Sequence, residues 1–136
     1  MPIRYRDDLT PTMLEVVDLY RSLHWSSADK PEALHAALAG SHALVTAWDG
    51  DLLVGLGNAL SDGHLVVYYP HLLVRPEYHG QGIGRGIMDL MQRRYEGFHQ
   101  QALIADAKAV GFYEKLGFAR AGELQPMWIF DGHEHD

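Results

Sequence analysis

Val74-Arg75-Pro76-Glu77-Tyr78-His79-Gly80-Gln81-Gly82-Ile83-Gly84-Arg85-Gly86 is the stretch on which the reading of this chain turns. The run before it, His64 to Val74, has the composition of a strand. After it, Ile83, Ile87, Leu90, Met91 and Tyr95 recur on one face of a helix that Gly97 can end. Between strand and helix, four glycines alternate with larger residues. Glycine lets the backbone turn tightly and lets a ligand come close to its N–H groups. A helix beginning near Gly82 leaves its first N–H groups without intrahelical partners, and its dipole is positive at that end. Both attract an anion, and Arg85 adds a charge-assisted donor. The segment reads as a cradle for phosphate or pyrophosphate.

Spacing narrows the ligand. A dinucleotide fingerprint needs a third glycine at position 85 or 87, and Arg85 and Ile87 stand there. A Walker loop needs Gly-Lys-Ser/Thr after four residues, and nothing here supplies it.

Working outward, the N-terminal side holds a short strand over Ile3–Arg6. Thr10-Pro11 then opens a helix marked by Met13, Val16, Val17, Tyr20 and Leu23. A second helix is capped by Asp29, with Glu32 three residues on, and stops at Gly40. His42–Trp48, Leu52–Leu60 and His64–Val74 are then separated by Asp49-Gly50 and Asp62-Gly63, the strongest short hairpin signal. These three runs predict an antiparallel meander. Pro70 interrupts the third and predicts a bulge or a lost ladder bond. On the other side of the glycine segment, Ala102–Ala105 reads as a strand parallel to the third run, completing a βαβ unit. A last helix over Ala109–Leu116 ends at Gly117, and Phe118–Arg120 with Met127–Phe130 closes the sheet. The expected fold is one α/β domain over residues 1–136, with a mixed sheet, an antiparallel N-terminal meander and a central βαβ unit.

Composition bounds the function. A chain of 136 residues suits one compact domain. It has no cysteine, which excludes disulfides, thiolate metal sites and a cysteine nucleophile, and fits a reducing cytoplasm. The first ten residues are too polar for a signal peptide, and no apolar run is long enough to span a bilayer, so a soluble protein without membrane partners is expected. A net charge of −7 disfavours nucleic acid and mildly favours a cationic substrate such as an amine. Asp131, His133, Glu134, His135 and Asp136 lack the spacing of a known metal site, so no metal is expected.

Leu72 to Gly84 resembles the acetyl-CoA motif of the GNAT N-acetyltransferase superfamily, Arg/Gln-x-x-Gly-x-Gly/Ala after a strand. Phe112-Tyr113-Glu114-Lys115-Leu116-Gly117-Phe118 resembles the family's second signature, about thirty residues downstream as expected. The order of elements matches over most of the chain. Two departures stand out: His79 is found where Arg or Gln is usual, and Asp106 where Asn is common. The resemblance implies an acetyl-CoA-dependent N-acetyltransferase. The N–H groups from Gln81 through Gly82, Ile83 and Gly84 to Arg85 would hold the pyrophosphate, with Gly80 shaping the turn. The backbone of Leu72, Leu73 and Val74 would pair with the pantetheine arm, and Asp106 would lie against that arm. His79 can donate to phosphate only with a charge that changes near neutrality, so cofactor affinity is expected to fall as pH rises.

Transfer of an acyl group from a thioester to an amine needs a neutral amine, a polarised carbonyl and a stabilised leaving thiolate. Without cysteine, direct attack in a ternary complex is the simplest route. Tyr113 resembles the family's general acid for the departing sulfur. For the base, Tyr68, Tyr69, His71, Asp62 and His64 are candidates, and His71 has the most suitable intrinsic chemistry; water is the alternative. Strand alternation puts Tyr69 and His71 on one face unless Pro70 breaks the phase. Trp25, Trp48 and Trp128 are candidate linings of an acceptor pocket. The expected acceptor is a primary amine of a small molecule, and a homodimer through the C-terminal strands is plausible on this reading. The alternatives are a non-catalytic acyl-CoA sensor on the same fold and an interaction domain whose glycine loop is only structural.

Overall fold

The computed structural model describes residues 2–132. Strand β1 (Arg4–Arg6) leads to helix α1 (Met13–Ser22), a 3-10 turn at Ser26–Asp29 and helix α2 (Pro31–Ala39). Strands β2 (Ala43–Asp49), β3 (Leu52–Ser61), β4 (Val66–Tyr68) and β5 (Leu72–Val74) follow. A 3-10 turn at Pro76–Tyr78 precedes helix α3 (Ile83–Arg94), then come strand β6 (Gln100–Ala102), a 3-10 turn at Ala107–Ala109 and helix α4 (Val110–Glu114). The sheet runs β1-β2-β3-β4-β6, with β5 also paired to β3. All pairs are antiparallel except β4 with β6. The mixed α/β architecture expected above is the one observed.

Helix α1 starts two residues later than Pro11 suggested. Thr12 and Glu15 form a reciprocal capping box, Glu15 N–H to Thr12 Oγ1 at 3.2 Å and Thr12 N–H to Glu15 Oε1 at 2.9 Å. Such a cap satisfies two donors that the helix itself cannot and contributes about 1 kcal/mol. Val16, Leu19 and Tyr20, spaced three and four apart, are fully buried against the sheet. Asp29 does not cap α2. It belongs to the preceding 3-10 turn, Lys30 holds the cap position without a side-chain bond, and Pro31 starts the helix by its fixed φ.

The hairpins form where Asp-Gly marks them, with Gly50 at φ 59° and Gly63 at φ 82°. The third run splits in two. Its first half, β4, pairs Tyr68 with Leu60 of β3, and its second half, β5, pairs Leu72 with Gly57. Between them the register slips by one residue, a bulge centred on Pro70. Asn58 bridges the gap: its N–H donates to His71 O at 3.1 Å, and its Oδ1 accepts His71 N–H at 3.0 Å. Because side chains alternate along a strand, a one-residue slip exchanges the faces. Tyr69 packs toward α3 against Tyr95, whereas His71 packs toward α1 against Tyr20. Alternation alone had put both on one face.

Pro70 also sets where β6 stops. Tyr69 N–H donates to Ala102 O at 3.0 Å, and the next residue has no N–H to continue the ladder. The strand therefore occupies Gln100–Ala102 rather than Ala102–Ala105, and residues 103–106 leave the sheet. Helix α3 buries Ile83, Ile87, Met88 and Met91. Leu90, expected on that face, is instead exposed. Gly55 and Gly57 of β3 let α3 approach closely, since a Cβ on Gly57 would lie 2.7 Å from Met91 Cε and 2.9 Å from Ile87 Cγ2.

Phe118–Arg120 and Met127–Phe130 do not join the sheet. Phe118 is anchored by its ring instead, 6.1 Å from Tyr69 and 6.0 Å from Tyr113. Beyond it, Gly122 at φ 67° and Pro126, which has no N–H, interrupt any continuous ladder. Met127 and Ile129 are exposed, and Trp128 stacks on Phe130 at 4.3 Å. Asp131 then pairs with Lys30 at 2.8 Å, carrying the chain back to the start of α2. A dimer through C-terminal strands thus loses the strands it was built on. Residues His133, Glu134, His135 and Asp136 lie outside the described residues. Two changes at Gly57 measure the close approach of α3: Gly57→Ala is expected to cost about 1–3 kcal/mol and Gly57→Val more. Urea unfolding of both variants checks this, and an unchanged midpoint for Gly57→Val would show that α3 yields freely.

Candidate active site

A groove of about 1070 Å³ lies between β5 and the chain from Asp106 to Leu116. It exists because β4 and β5 share β3 on one side but part company at Pro70 on the other: β6 pairs with β4 alone, leaving the edge of β5 away from β3 without a neighbouring strand among the described residues. Leu72, Leu73 and Val74 line one wall. Phe112 and Tyr113 of α4 line the other, with Asp106 and Lys108 from the turn before it. Phe112 reaches across, its ring 3.5 Å from where a Cβ on Gly84 would sit.

The glycine loop closes one end. Gly80 and Gly82 take φ 80° and 79°, a conformation that other residues adopt only at a cost, and open space lies where their side chains would be. Gly82 is the N-cap of α3, and the first helical bond is Gly86 N–H to Gly82 O at 3.0 Å. The amides of Ile83, Gly84 and Arg85 precede that bond, and all three residues face the groove. Gln81 is exposed and is not part of the groove wall. His79 lines the groove, but its Nε2–H donates to Val74 O at 2.7 Å, tying the loop to the end of β5. Only Nδ1 remains to meet an anion. Asp106 is likewise engaged: its Oδ1 accepts Lys108 N–H at 2.8 Å and caps the 3-10 turn.

Tyr113 is partly buried, edge-on to Phe112 and Phe118 at 5.0 and 6.0 Å. Burial pushes its phenol above the usual range, so the hydroxyl keeps its proton at neutral pH. His71 precedes β5 and sits between Tyr20 and Trp25, with its Nδ1 2.7 Å from the Tyr20 hydroxyl. Tyr20 is fully buried, which raises its phenol far above the ordinary range and keeps this contact uncharged on the oxygen. None of the base candidates is itself in the groove wall; His71 adjoins it, next to the lining residues Leu72 and Trp25, while Tyr68, Tyr69, Asp62 and His64 stand farther along the chain from β5. Asp62 Oδ1 accepts the N–H groups of His64, Leu65 and Val66, and those to Leu65 and His64 chiefly hold its carboxyl below the usual range. Tyr69 donates to Gln101 Oε1 at 2.7 Å, and burial raises its phenol. Of the three tryptophans, only Trp25 lines the groove; Trp48 is buried, with Nε1–H on Thr46 Oγ1 at 2.8 Å.

Several supports are not obvious from the sequence. Arg75 is buried, donating from Nε to Leu53 O at 2.7 Å and pairing with Asp18 at 2.6 Å, so it locks α1 to the end of β5. Tyr78 donates to Asp49 Oδ2 at 2.6 Å and fastens the loop to the β2–β3 hairpin. That bond, then burial, raises the Tyr78 phenol. Arg75-Pro76 and Asn58 amid apolar neighbours were the available signals, since a polar residue in a strand core needs a partner. Among the described residues, no three His, Asp or Glu side chains are grouped to hold a metal, and no helix is long and apolar enough to cross a membrane.

Splayed strand, glycine-capped helix and facing tyrosine together define a fold and site type that comparison with known proteins identifies. The chain matches the acetyltransferase (GNAT) domain model over residues 14–129 and belongs to that family. A GNAT-family acetyltransferase from Streptococcus pneumoniae superposes with a TM-score of 0.81 at 29% identity, covering 96% of this chain and 98% of that one. Glucosamine 6-phosphate N-acetyltransferase of Trypanosoma brucei brucei is 42% identical over 65 residues, 46% of this chain and 44% of the relative. The chloroplastic serotonin N-acetyltransferase 2 of Oryza sativa is 35% identical over 68 residues, 48% of this chain and 34% of the relative. The chain therefore spans less than half the length of the curated relatives it matches.

The Arg75 lock gives an ordered expectation. Arg75→Met leaves Leu53 O without its donor and costs about 1–3 kcal/mol. Asp18→Ala costs less, because the Asp18 side chain is 68% exposed and water can replace it. Thermal unfolding of the two variants checks the order, and a larger loss at Asp18 would contradict it.

Proposed function

We propose that this protein transfers the acetyl group of acetyl-CoA to a primary amine of a small molecule, by direct attack in a ternary complex. One observation carries the reading: a single groove has the free edge of β5, the glycine-capped start of α3 and Tyr113 in its walls. Its size suits a cofactor-sized ligand. The backbone of Leu72–Val74 pairs with the pantetheine arm as an added strand would. The amides from Gly82 to Arg85, which face the groove, hold the pyrophosphate, with Gln81 outside the wall, and Arg85 adds its charge. His79 and Gly80 shape the loop, and Asp106 sets the turn that carries α4.

The amine nitrogen attacks the thioester carbonyl carbon, a C–N bond forms and the C–S bond breaks. Tyr113 gives its proton to the departing sulfur, His71 takes the proton that the attacking amine sheds, and exchange with water returns both residues to their starting states. His71 suits this role because it lies at the start of β5 and Tyr20 orients its ring. The absence of cysteine supports a reducing compartment such as the cytoplasm. The two named relatives carry unlike acceptors in their names, so the reading stops at a small amine.

Free-thiol release from acetyl-CoA across an amine panel tests the activity. Tyr113→Phe is expected to keep the acetyl-CoA Kd and lose about 10²–10⁴-fold in kcat. His71→Gln is expected to lose about 10²-fold. Equal loss of cofactor binding in Tyr113→Phe, or full activity in either variant, removes that residue's role. A non-catalytic sensor would bind acetyl-CoA and release no thiol with any amine. The raised Tyr113 phenol also fixes a sign. The acid form is present below its folded pKa and lost only above it, so kcat should show no Tyr113-dependent decline up to about pH 10. A decline beginning near pH 8 that Tyr113→Phe abolishes would contradict this.

A further inference from the structure

The N-terminal region gives the groove two side chains, Leu23 and Trp25. Both lie on the link between α1 and the 3-10 turn at Ser26–Asp29. Between them stands His24 at φ 61°, the one non-glycine residue in the left-handed region among the described residues. That conformation is strained for a residue with a side chain, though histidine is found there more often than most. Here it reverses the chain at the end of α1. The amides of Leu23 and Trp25 both donate to Tyr20 O, at 3.2 and 3.1 Å. Trp25 O in turn accepts Ala28 N–H at 3.1 Å. The backbone of Trp25 is thereby held on both sides. Its indole meets the rings of Tyr20 and His71 edge-on at 5.6 and 5.2 Å.

The position of this wall identifies what it meets. The glycine loop follows the last residue of β5, and Trp25 packs on the residue before its first. The two therefore sit at opposite ends of β5, and the pyrophosphate end is the loop's. Charge divides the same way. The cations in the wall are Arg85, Lys108 and Lys115, from the start of α3 and the region of α4. The single carboxylate in the described wall, Asp106, is committed to its cap. Leu23 and Trp25 offer an apolar, partly aromatic surface there, suited to an aromatic body and poorly matched to a polycation or a polyhydroxylated ring.

We infer that Trp25, set in place by the left-handed turn at His24, selects the acceptor, and that the acceptor class is a primary amine carried on a planar apolar body, an arylalkylamine. The inference rests on the acetyl-transfer reading above. The test measures wild-type thiol release with phenethylamine, tryptamine, spermidine and glucosamine, together with Trp25→Ala, Trp25→Phe and His24→Val. The wild type should prefer the two aromatic amines by about tenfold or more in kcat/KM, the discrimination that an apolar contact supplies. Trp25→Ala should lose most of that preference, mainly through KM for the amine, while Trp25→Phe keeps it. His24→Val, which disfavours the left-handed turn, should fall between. A wild-type preference for spermidine or glucosamine overturns the inference and leaves acetyl transfer standing. So does a Trp25→Ala protein that changes its choice among acetyl-, butyryl- and hexanoyl-CoA but not among amines. Should Trp25→Ala fail to fold, the wild-type panel and Trp25→Phe decide the matter. A wild type that releases no thiol with any amine overturns both readings.

Discussion

Strand β3 is asked to pair with two segments along one edge, and the missing N–H of Pro70 keeps those segments from being one strand. Everything around the groove follows from that. The ladder to β6 ends at Tyr69, the register slips by a residue, and β5 is left with a bare edge. A gap of this kind would strand buried polar groups, each costly to desolvate without a partner. Asn58 prevents it by using both backbone and side chain on His71, and its amide donates to Ser41 Oγ at 3.1 Å. The groove is thus a defect in the sheet with its hydrogen bonds accounted for.

The same slip distributes the chemistry. Residues on the two sides of Pro70 face opposite layers, so Tyr69 joins the core beneath α3 while His71 joins the layer formed by α1. Leu73, two residues beyond His71, joins that layer too, alongside Tyr20 and Trp48. Leu72 and Val74 pack on the opposite side, against the core beneath α3, and all three residues of β5 border the groove. Arg75 then anchors the end of β5 to α1, and Tyr78 anchors the loop to the hairpin, so the glycine segment hangs between two fixed points. Glycine supplies the turning there, and neighbouring side chains supply the rigidity.

Much of this was legible in the residues because it depends on local chemistry. Asp-Gly pairs announce hairpins, the apolar stripe announces α3, and Pro70 announces a break. The glycine loop and the Phe112–Phe118 segment point to the same family that the whole chain matches. What failed depends on distant contacts or on competition between local rules. The boundary of β6 is decided by Pro70, some thirty residues upstream. The alternating run at Met127–Phe130 looks like a strand, yet Gly122, Pro126 and ring stacking give it another resting place. His79 reads as a phosphate donor until Val74 O is seen to hold it. Arg75 and Tyr20 contribute through partners some fifty residues away or more, which no local pattern announces.

The parallel pairing of β4 with β6 has a consequence for how the molecule comes together. The meander closes through two short turns, whereas β4 and β6 meet only after about thirty residues of loop and helix have been ordered. Loop-closure entropy and non-local pairing make that step late. The walls of the groove are therefore expected among the last parts to consolidate and the first to open. Fluctuations of this kind draw on the low end of local stability, and they would give a long ligand a way into a slot between β5 and α4.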